Sequence, residues 1–305
     1  MNKYFPEGEG LKTPDNTRFT ATIDGMLEAL KGGKILEGIA AMCTPEHDVI
    51  VDLPCGTGII RREEGALGIA EGITKDIALL SKVGKPICFK IVTIDQNSLQ
   101  PKFILSRKAA QEECMQSYIG KLVPGDVIPA KVTHLEKFGC FVDIGCGIPS
   151  LIPIDLISVS RINHPADRFY NGQNIFVAIK GRDRDRILLS HKELLGSWQQ
   201  NAENFSVGQT VTGIVRSIED YGIFIELAPN LAGLAELREN VFPGQTASAF
   251  IKAIIPDKMK VKLIIVDAFE SSLSRPRLGY YITGGHIDRW VYSVPEAAKR
   301  IETVF

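Results

Sequence analysis

The chain has almost no net charge. Lys and Arg number 35 against 36 Asp and Glu, which leaves −1 over 305 residues. No global basic field announces a nucleic-acid partner, so any such surface must be local. Long apolar runs are also lacking, and Met1–Thr20 does not show the basic-then-apolar pattern of a signal peptide. That predicts no membrane partner. The six cysteines form no Cys-x-x-Cys pair. This speaks against a zinc site and predicts reduced, mostly buried thiols in a cytoplasmic protein. The five histidines are dispersed, no Ser or Cys sits in a nucleophile elbow, and no acidic cluster has metal-ligand spacing. These absences predict a non-enzyme with no metal and no small-molecule cofactor.

What is present is a globular composition, 45% hydrophobic and 23% charged, in a chain long enough for two or three domains. It also repeats itself. Phe141-Val-Asp-Ile144 has a copy in Phe224-Ile-Glu-Leu227 and a weaker one in Ile50-Val-Asp-Leu53, at spacings of 83 and 91 residues. Each copy is followed by a turn glycine and an apolar strand, beginning at Gly84, Gly172 and Gly244. Each unit then closes with a third landmark: Lys102-Phe-Ile-Leu105, Arg186-Ile-Leu-Leu189 or Lys260-Val-Lys-Leu263. Short strands with glycine turns around one small core predict a small barrel. The fold class is mainly β: tandem five-stranded barrels joined by short helices. The divisions fall at 1–32 (a loose leader and short helix), 33–119, 120–204, 205–268 and 269–305 (a terminal hairpin and helix). Thr20 is a candidate cap for a helix over Ala21–Leu30, and Ser106 and Ser190 for linker helices. Gly284-Gly285 predicts a hairpin, and Pro295 a helix over Glu296–Thr303.

Within the second unit, Glu136–Gly145 reads Glu-Lys-Phe-Gly-Cys-Phe-Val-Asp-Ile-Gly. Strand alternation puts Phe141 beside Asp143, whose carboxylate marks that side as solvent. A bulge at Gly139 would bring Phe138 to the same surface. Two exposed rings on a sheet form a platform for stacking bases. Tyr221 and Phe224 repeat the pattern in the third unit.

These residues resemble the RNA-binding repeat of the largest bacterial small-subunit ribosomal protein, the S-one domain, one of the oligonucleotide/oligosaccharide-binding (OB) barrels. The second unit carries the resemblance through Gly125-Asp-Val, Phe138–Ile144, Ser150-Leu-Ile-Pro-Ile, Asn171-Gly-Gln and Arg186–Lys192. The third does so through Gly208–Val215, Tyr221–Glu226, Gly233–Leu237 and Gly244. The first is similar but eroded. The resemblance implies that Phe138, Phe141, Tyr221 and Phe224 are stacking positions. It also implies a surface histidine where this chain has Pro153, Glu236 and Arg62. In the first unit the ring positions hold His47 and Ile50.

Phosphate contacts need cations near the rings. The second unit offers Lys131, Lys137, Lys180, Arg182, Arg184 and Arg186, the last four spaced by two as on one side of a strand pair. The third offers Arg216, Lys252, Lys260 and Lys262, opposed by Glu226 and Glu236. In the tail, Tyr280, Tyr281, Trp290 and Tyr292 are expected to cover the third barrel's side. The expected partner is single-stranded RNA or mRNA, at the ribosome or in mRNA handling. Two rivals are a protein-interaction scaffold of eroded barrels and a methyltransferase. The latter rests on Val49–Gly58, which looks like a strand and glycine loop for S-adenosylmethionine, except for Pro54 where such loops have glycine.

Overall fold

A computed structural model describes residues 3–95, 101–183, 186–270 and 278–305, without the side chains of residues 183 and 186. It divides into two compact units, Met1–Leu122 with Asp143–Pro149, and Val123–Val142 with Ser150–Phe305.

The first unit opens with two short helices, α1 (Pro14–Thr20) and α2 (Ile23–Lys31). Thr13 and Thr22 cap them, each side-chain oxygen accepting from a backbone amide three residues on. Five strands follow: β1 (Leu36–Cys43), β2 (Val49–Leu53), β3 (Gly56–Ile60), β4 (Pro86–Asp95) and β5 (Lys102–Ser106), with the short helix α3 (Ile77–Leu80) between β3 and β4. They close into a barrel in the order β1-β2-β3-β5-β4. Inward residues such as Val49, Val51, Ile60, Phe89 and Phe103 fill it, with Met26 of α2 in the same core. Ser106 caps α4 (Arg107–Ser117), as its sequence position predicts.

The leader is not loose. Tyr4 and Glu7 are buried, and the Glu7 carboxylate pairs with Arg107 at 2.7 Å and Lys82 at 2.6 Å. Asp143 corrects a second expectation, because it is 4% exposed instead of facing solvent. Its oxygens accept from the backbone amides of Glu7 (2.7 Å), Gly145 (2.8 Å) and Gly147 (3.0 Å). Three amide donors satisfy a carboxylate that sequence alone would leave unpaired. Burial, with the nearby Glu7 charge, pushes its acid up to about 6. Burial likewise pushes Glu37 up to about 7. For Glu7 burial acts the same way, but Arg107 and Lys82 outweigh it and hold the carboxyl well below the usual range.

The second unit holds two more barrels. One is built from β6 (Asp126–Glu136), β7 (Gly139–Asp143), β8 (Pro149–Pro153), β9 (Asn174–Asp183) and β10 (Arg186–Ser190). It closes through β6–β9 pairing. After α5 (Trp198–Ala202), strands β11 (Thr210–Glu219), β12 (Gly222–Ala228), β13 (Leu231–Ala235), β14 (Thr246–Ile255) and β15 (Lys260–Phe269) close the other in the order β11-β12-β13-β15-β14. The linker expected to start at Ser190 is a single 3-10 turn, Lys192–Leu195, before α5 capped by Ser197.

The tail differs from its sequence reading. Gly284-Gly285 turns no hairpin; β16 (Gly285–His286) instead pairs with Val127 and Asp126 of β6. No helix follows Pro295, and β18 (Glu302–Val304) pairs with β17 (Arg289–Val291). The expectation that its four rings cover the third barrel's side holds only in part, because Tyr281 stays 43% exposed and Tyr280 packs on the second barrel. Trp290 and Tyr292 are buried in the second unit's core, and Tyr280 lies edge-on to Phe176 and His191.

Candidate nucleic-acid interface

In the second unit, β6 and β7 are joined by the two-residue turn Lys137-Phe138, and β11 and β12 by Asp220-Tyr221. The turn itself brings Phe138 up beside Phe141, so no bulge at Gly139 is needed. Ring centroids of Phe138 and Phe141 are 6.0 Å apart at 90°. Tyr221 and Phe224 show the same 6.0 Å and 90°. Phe138 and Tyr221 are 56% and 69% exposed, a poor use of large rings unless something covers them. The glycine after each turn ring is a steric requirement. A Cβ on Gly139 would lie 2.5 Å from the Ile152 carbonyl oxygen, and one on Gly222 2.5 Å from that of Ala235.

Register extends each ring pair into a surface. In the third barrel, Ser217 pairs with Phe224, Phe224 with Leu234 and Leu234 with Lys262, forming one outward row. In the second, Leu188 pairs with both Leu151 and Gly181. The first barrel replaces the row with Met42, Ile50, Ile59, Ile104 and Thr93. His47 stands in a left-handed turn (φ 68°) before it. That face is aliphatic and carries no ring platform.

The predicted cations separate into groups. Lys137 is exposed in the turn beside Phe138, and Lys252 and Lys260 are exposed on the third barrel. Lys131 is half-buried and Arg182 exposed. Lys180 is half-buried with its ammonium 5.2 Å from the Phe305 ring centroid. Arg184 lies outside the described residues, and Arg186 is described only as backbone of β10. The spacing of two fails as an argument, because the β9–β10 ladder skips Lys180: Leu188 pairs with Gly181, and Leu189 with Ile179. The third barrel skips Lys252 in the same way, and the first skips Val92. The bulge therefore presents a lysine in the two barrels with rings and a valine in the one without.

Arg216 is spent elsewhere. Its side chain is 12% exposed and pairs with Glu226 at 2.8 Å and Asp167 at 3.4 Å. Glu226 does not oppose the surface lysines either, being buried against Arg168. Lys262 is the cation that register brings to the Phe224 row. Among the histidines, His191 is wholly buried, its Nδ1 donating to the Ile157 carbonyl (2.7 Å) and its Nε2 accepting from Tyr280 (2.9 Å). Burial lowers it to about 4, so it is a neutral structural group. At the loop positions, Pro153 is half-buried, Glu236 exposed, and Arg62 paired with Asp76 at 2.8 Å.

The glycines of Val49–Gly58 have a plain structural role. Leu53 pairs with Gly56 across a β2–β3 hairpin, and a Cβ on Gly58 would lie 2.4 Å from Leu105. A hairpin inside a closed barrel is not the strand–loop–helix of a nucleoside site. Among the described residues, no group of three or more His, Cys, Asp or Glu could hold a metal ion, and no helix is long and apolar enough to cross a membrane.

Three closed five-stranded barrels, two with matching ring pairs, define a tandem OB-fold protein. Residues 121–192 match the family described as S1 RNA binding domain. The chain is thus an S1-domain protein, related to bacterial ribosomal protein bS1. It is 31% identical over 214 residues to small ribosomal subunit protein bS1 of Leuconostoc lactis, taking in 68% of this chain and 48% of that one. It is 34% identical over 163 residues to the bS1 homolog of Bacillus subtilis (strain 168), taking in 51% and 42%. The chain therefore spans about half the length of these relatives, or less. Among solved structures, a multidomain protein with nucleic acid binding domains from Streptococcus pneumoniae is similar at 15% identity and a TM-score of 0.26, over 77% of this chain and 74% of that one.

Proposed function

We propose that the chain binds single-stranded RNA through its second and third barrels, without catalysis, in mRNA handling at the ribosome and hence in the cytoplasm. Bases stack on Phe138 and Phe141 and on Tyr221 and Phe224. Lys137, Lys252, Lys260 and Lys262 meet phosphates, with Lys131, Lys180 and Arg182 at the margin of the second barrel. The observation that carries this reading is the identical edge-to-face ring pair on equivalent hairpins. Packing accidents do not repeat at one spacing with the outer ring left bare. Each stacked base contributes on the order of 1–3 kcal/mol with little regard to sequence. Two modest sites on one chain then reinforce each other through effective concentration.

The test is fluorescence anisotropy with labelled single-stranded RNA at low and high salt, for the intact chain and for Phe138→Ala with Phe141→Ala. Binding that weakens with salt and with loss of the rings is expected. No binding at low salt would sink the proposal. For the first barrel, the aliphatic row favours a second reading, contact with a protein instead of RNA.

A further inference from the structure

His134 lies on β6, two residues before its end at Glu136. A two-residue turn pairs the residues that flank it, so Glu136 faces Gly139 and, stepping back along both strands, His134 faces Phe141. The Thr133 hydroxyl, which donates to the Phe141 carbonyl at 3.1 Å, is compatible with this register. The β11–β12 ladder of the third barrel shows the same arrangement, with Glu219 on Gly222 and Ser217 on Phe224. Directly opposed residues on one face of an antiparallel pair bring their side chains together. His134 therefore shares the outer surface with Phe141 and with Phe138 in the turn.

Its ring is held there, yet open. The side chain is 61% exposed, and Nε2 donates to the Glu136 carboxylate at 2.7 Å. The bond anchors one edge of the imidazole while the side chain stays open to solvent. At the equivalent position the other barrels have Met42, opposite Ile50, and Ser217, opposite Phe224. Only the second barrel thus adds a third flat ring to its pair.

We propose that His134 is a base-contacting residue of the second barrel, a third ring that receives a base beside Phe141. Glu136 acts as its positioning residue. This rests on the reading of the Phe138–Phe141 surface as an RNA platform. Three rings on one hairpin make the second barrel the tighter of the two sites.

The test uses the intact chain and a fluorescein-labelled oligoadenylate RNA of about a dozen nucleotides, long enough to cover one barrel. His134→Ala weakens binding about five- to tenfold, the low end of the loss of one stacked base. His134→Tyr, which restores a flat ring, binds within about twofold of the parent. Thermal unfolding of both variants matches the parent, since the ring is exposed. Phe138→Ala with Phe141→Ala is measured alongside. If that pair loses binding while His134→Ala keeps it, the inference is overturned and the platform stands. If His134→Tyr binds as poorly as His134→Ala, a ring is not what the site needs, and the inference is likewise overturned. If the double variant binds like the parent, the platform and the inference fall together.

Discussion

Arg168 and Glu226 meet at 2.5 Å with neither side chain exposed to solvent. Arg216 reaches the same carboxylate at 2.8 Å and Asp167 at 3.4 Å, so two guanidinium groups and two carboxylates balance inside the second unit. Glu226 occupies the repeat position of Asp143, which is held by backbone amides instead. One position in the repeat thus finds two different solutions to burying an acid.

Removing Glu226 leaves two largely buried guanidinium groups with only Asp167 between them. Breaking a buried pair from one side costs about 3–5 kcal/mol. Glu226→Ala is therefore expected to lower stability of the second unit by that order in denaturant titration. A change below about 1 kcal/mol, the scale of an exposed pair, would show the network to be solvated instead.

The first unit is expected to weaken as pH rises through neutrality. Glu37 and Asp143 have folded-state values of about 7 and about 6, above those of free carboxyls. A raised carboxyl contributes stability fully below its unfolded value and loses it as pH climbs through the folded value. Glu7 has the opposite sign, its stabilisation being lost only in strong acid. Unfolding monitored from about pH 5 to 8 should show a decline. Glu37→Gln should flatten it while keeping an acceptor for the Gly8 amide, which lies 3.0 Å away.

Gly139→Ala and Gly222→Ala should each destabilise their barrel. The new methyl would stand 2.5 Å from a backbone carbonyl oxygen on the neighbouring strand, which cannot swing aside like a side chain. Overpacking of this kind costs about 1–3 kcal/mol. Gly222 adds backbone strain at φ 150°, so it is expected to be the worse of the two. Differential scanning calorimetry that found both variants as stable as the parent would refute the steric account.

The barrels and the ring pairs were legible because they are local and repeat. Phe138-Gly-Cys-Phe and Tyr221-Gly-Ile-Phe carry their turn, their glycine and their strand parity within a few residues. The fate of the acids was not legible. Asp143 is satisfied partly by Glu7, 136 residues away, and Glu226 by Arg168, 58 residues away. No window of sequence shows such partners, so a solvent-facing carboxylate was the reasonable expectation for Asp143. Arg216 misled for the same reason, as its charge is consumed by that network. The tail followed tertiary contacts over local rules. Gly285 and His286 found a free stretch of β6, and Thr303 bonds to the buried Glu193 at 2.7 Å, where a Pro-initiated helix was expected.

The cations give the sharpest separation between binding and folding. Lys260 and Lys262 are exposed on β15, and Lys262 stands one strand beyond Leu234 in the Phe224 row. Arg216 is of the same charge but is 12% exposed and already paired. A lysine that meets a phosphate releases a counterion, so its loss reduces the slope of log affinity against log salt by about 0.7 on a single strand. Lys260→Ala with Lys262→Ala is therefore expected to shallow the slope by about 1.4 units while leaving thermal unfolding unchanged. Arg216→Ala is expected to do the reverse, lowering the unfolding midpoint with no change of slope at temperatures where the variant is folded. Should Arg216→Ala shallow the slope and leave stability alone, its side chain must leave the buried network to reach RNA, and the division drawn between structural and surface cations would be wrong.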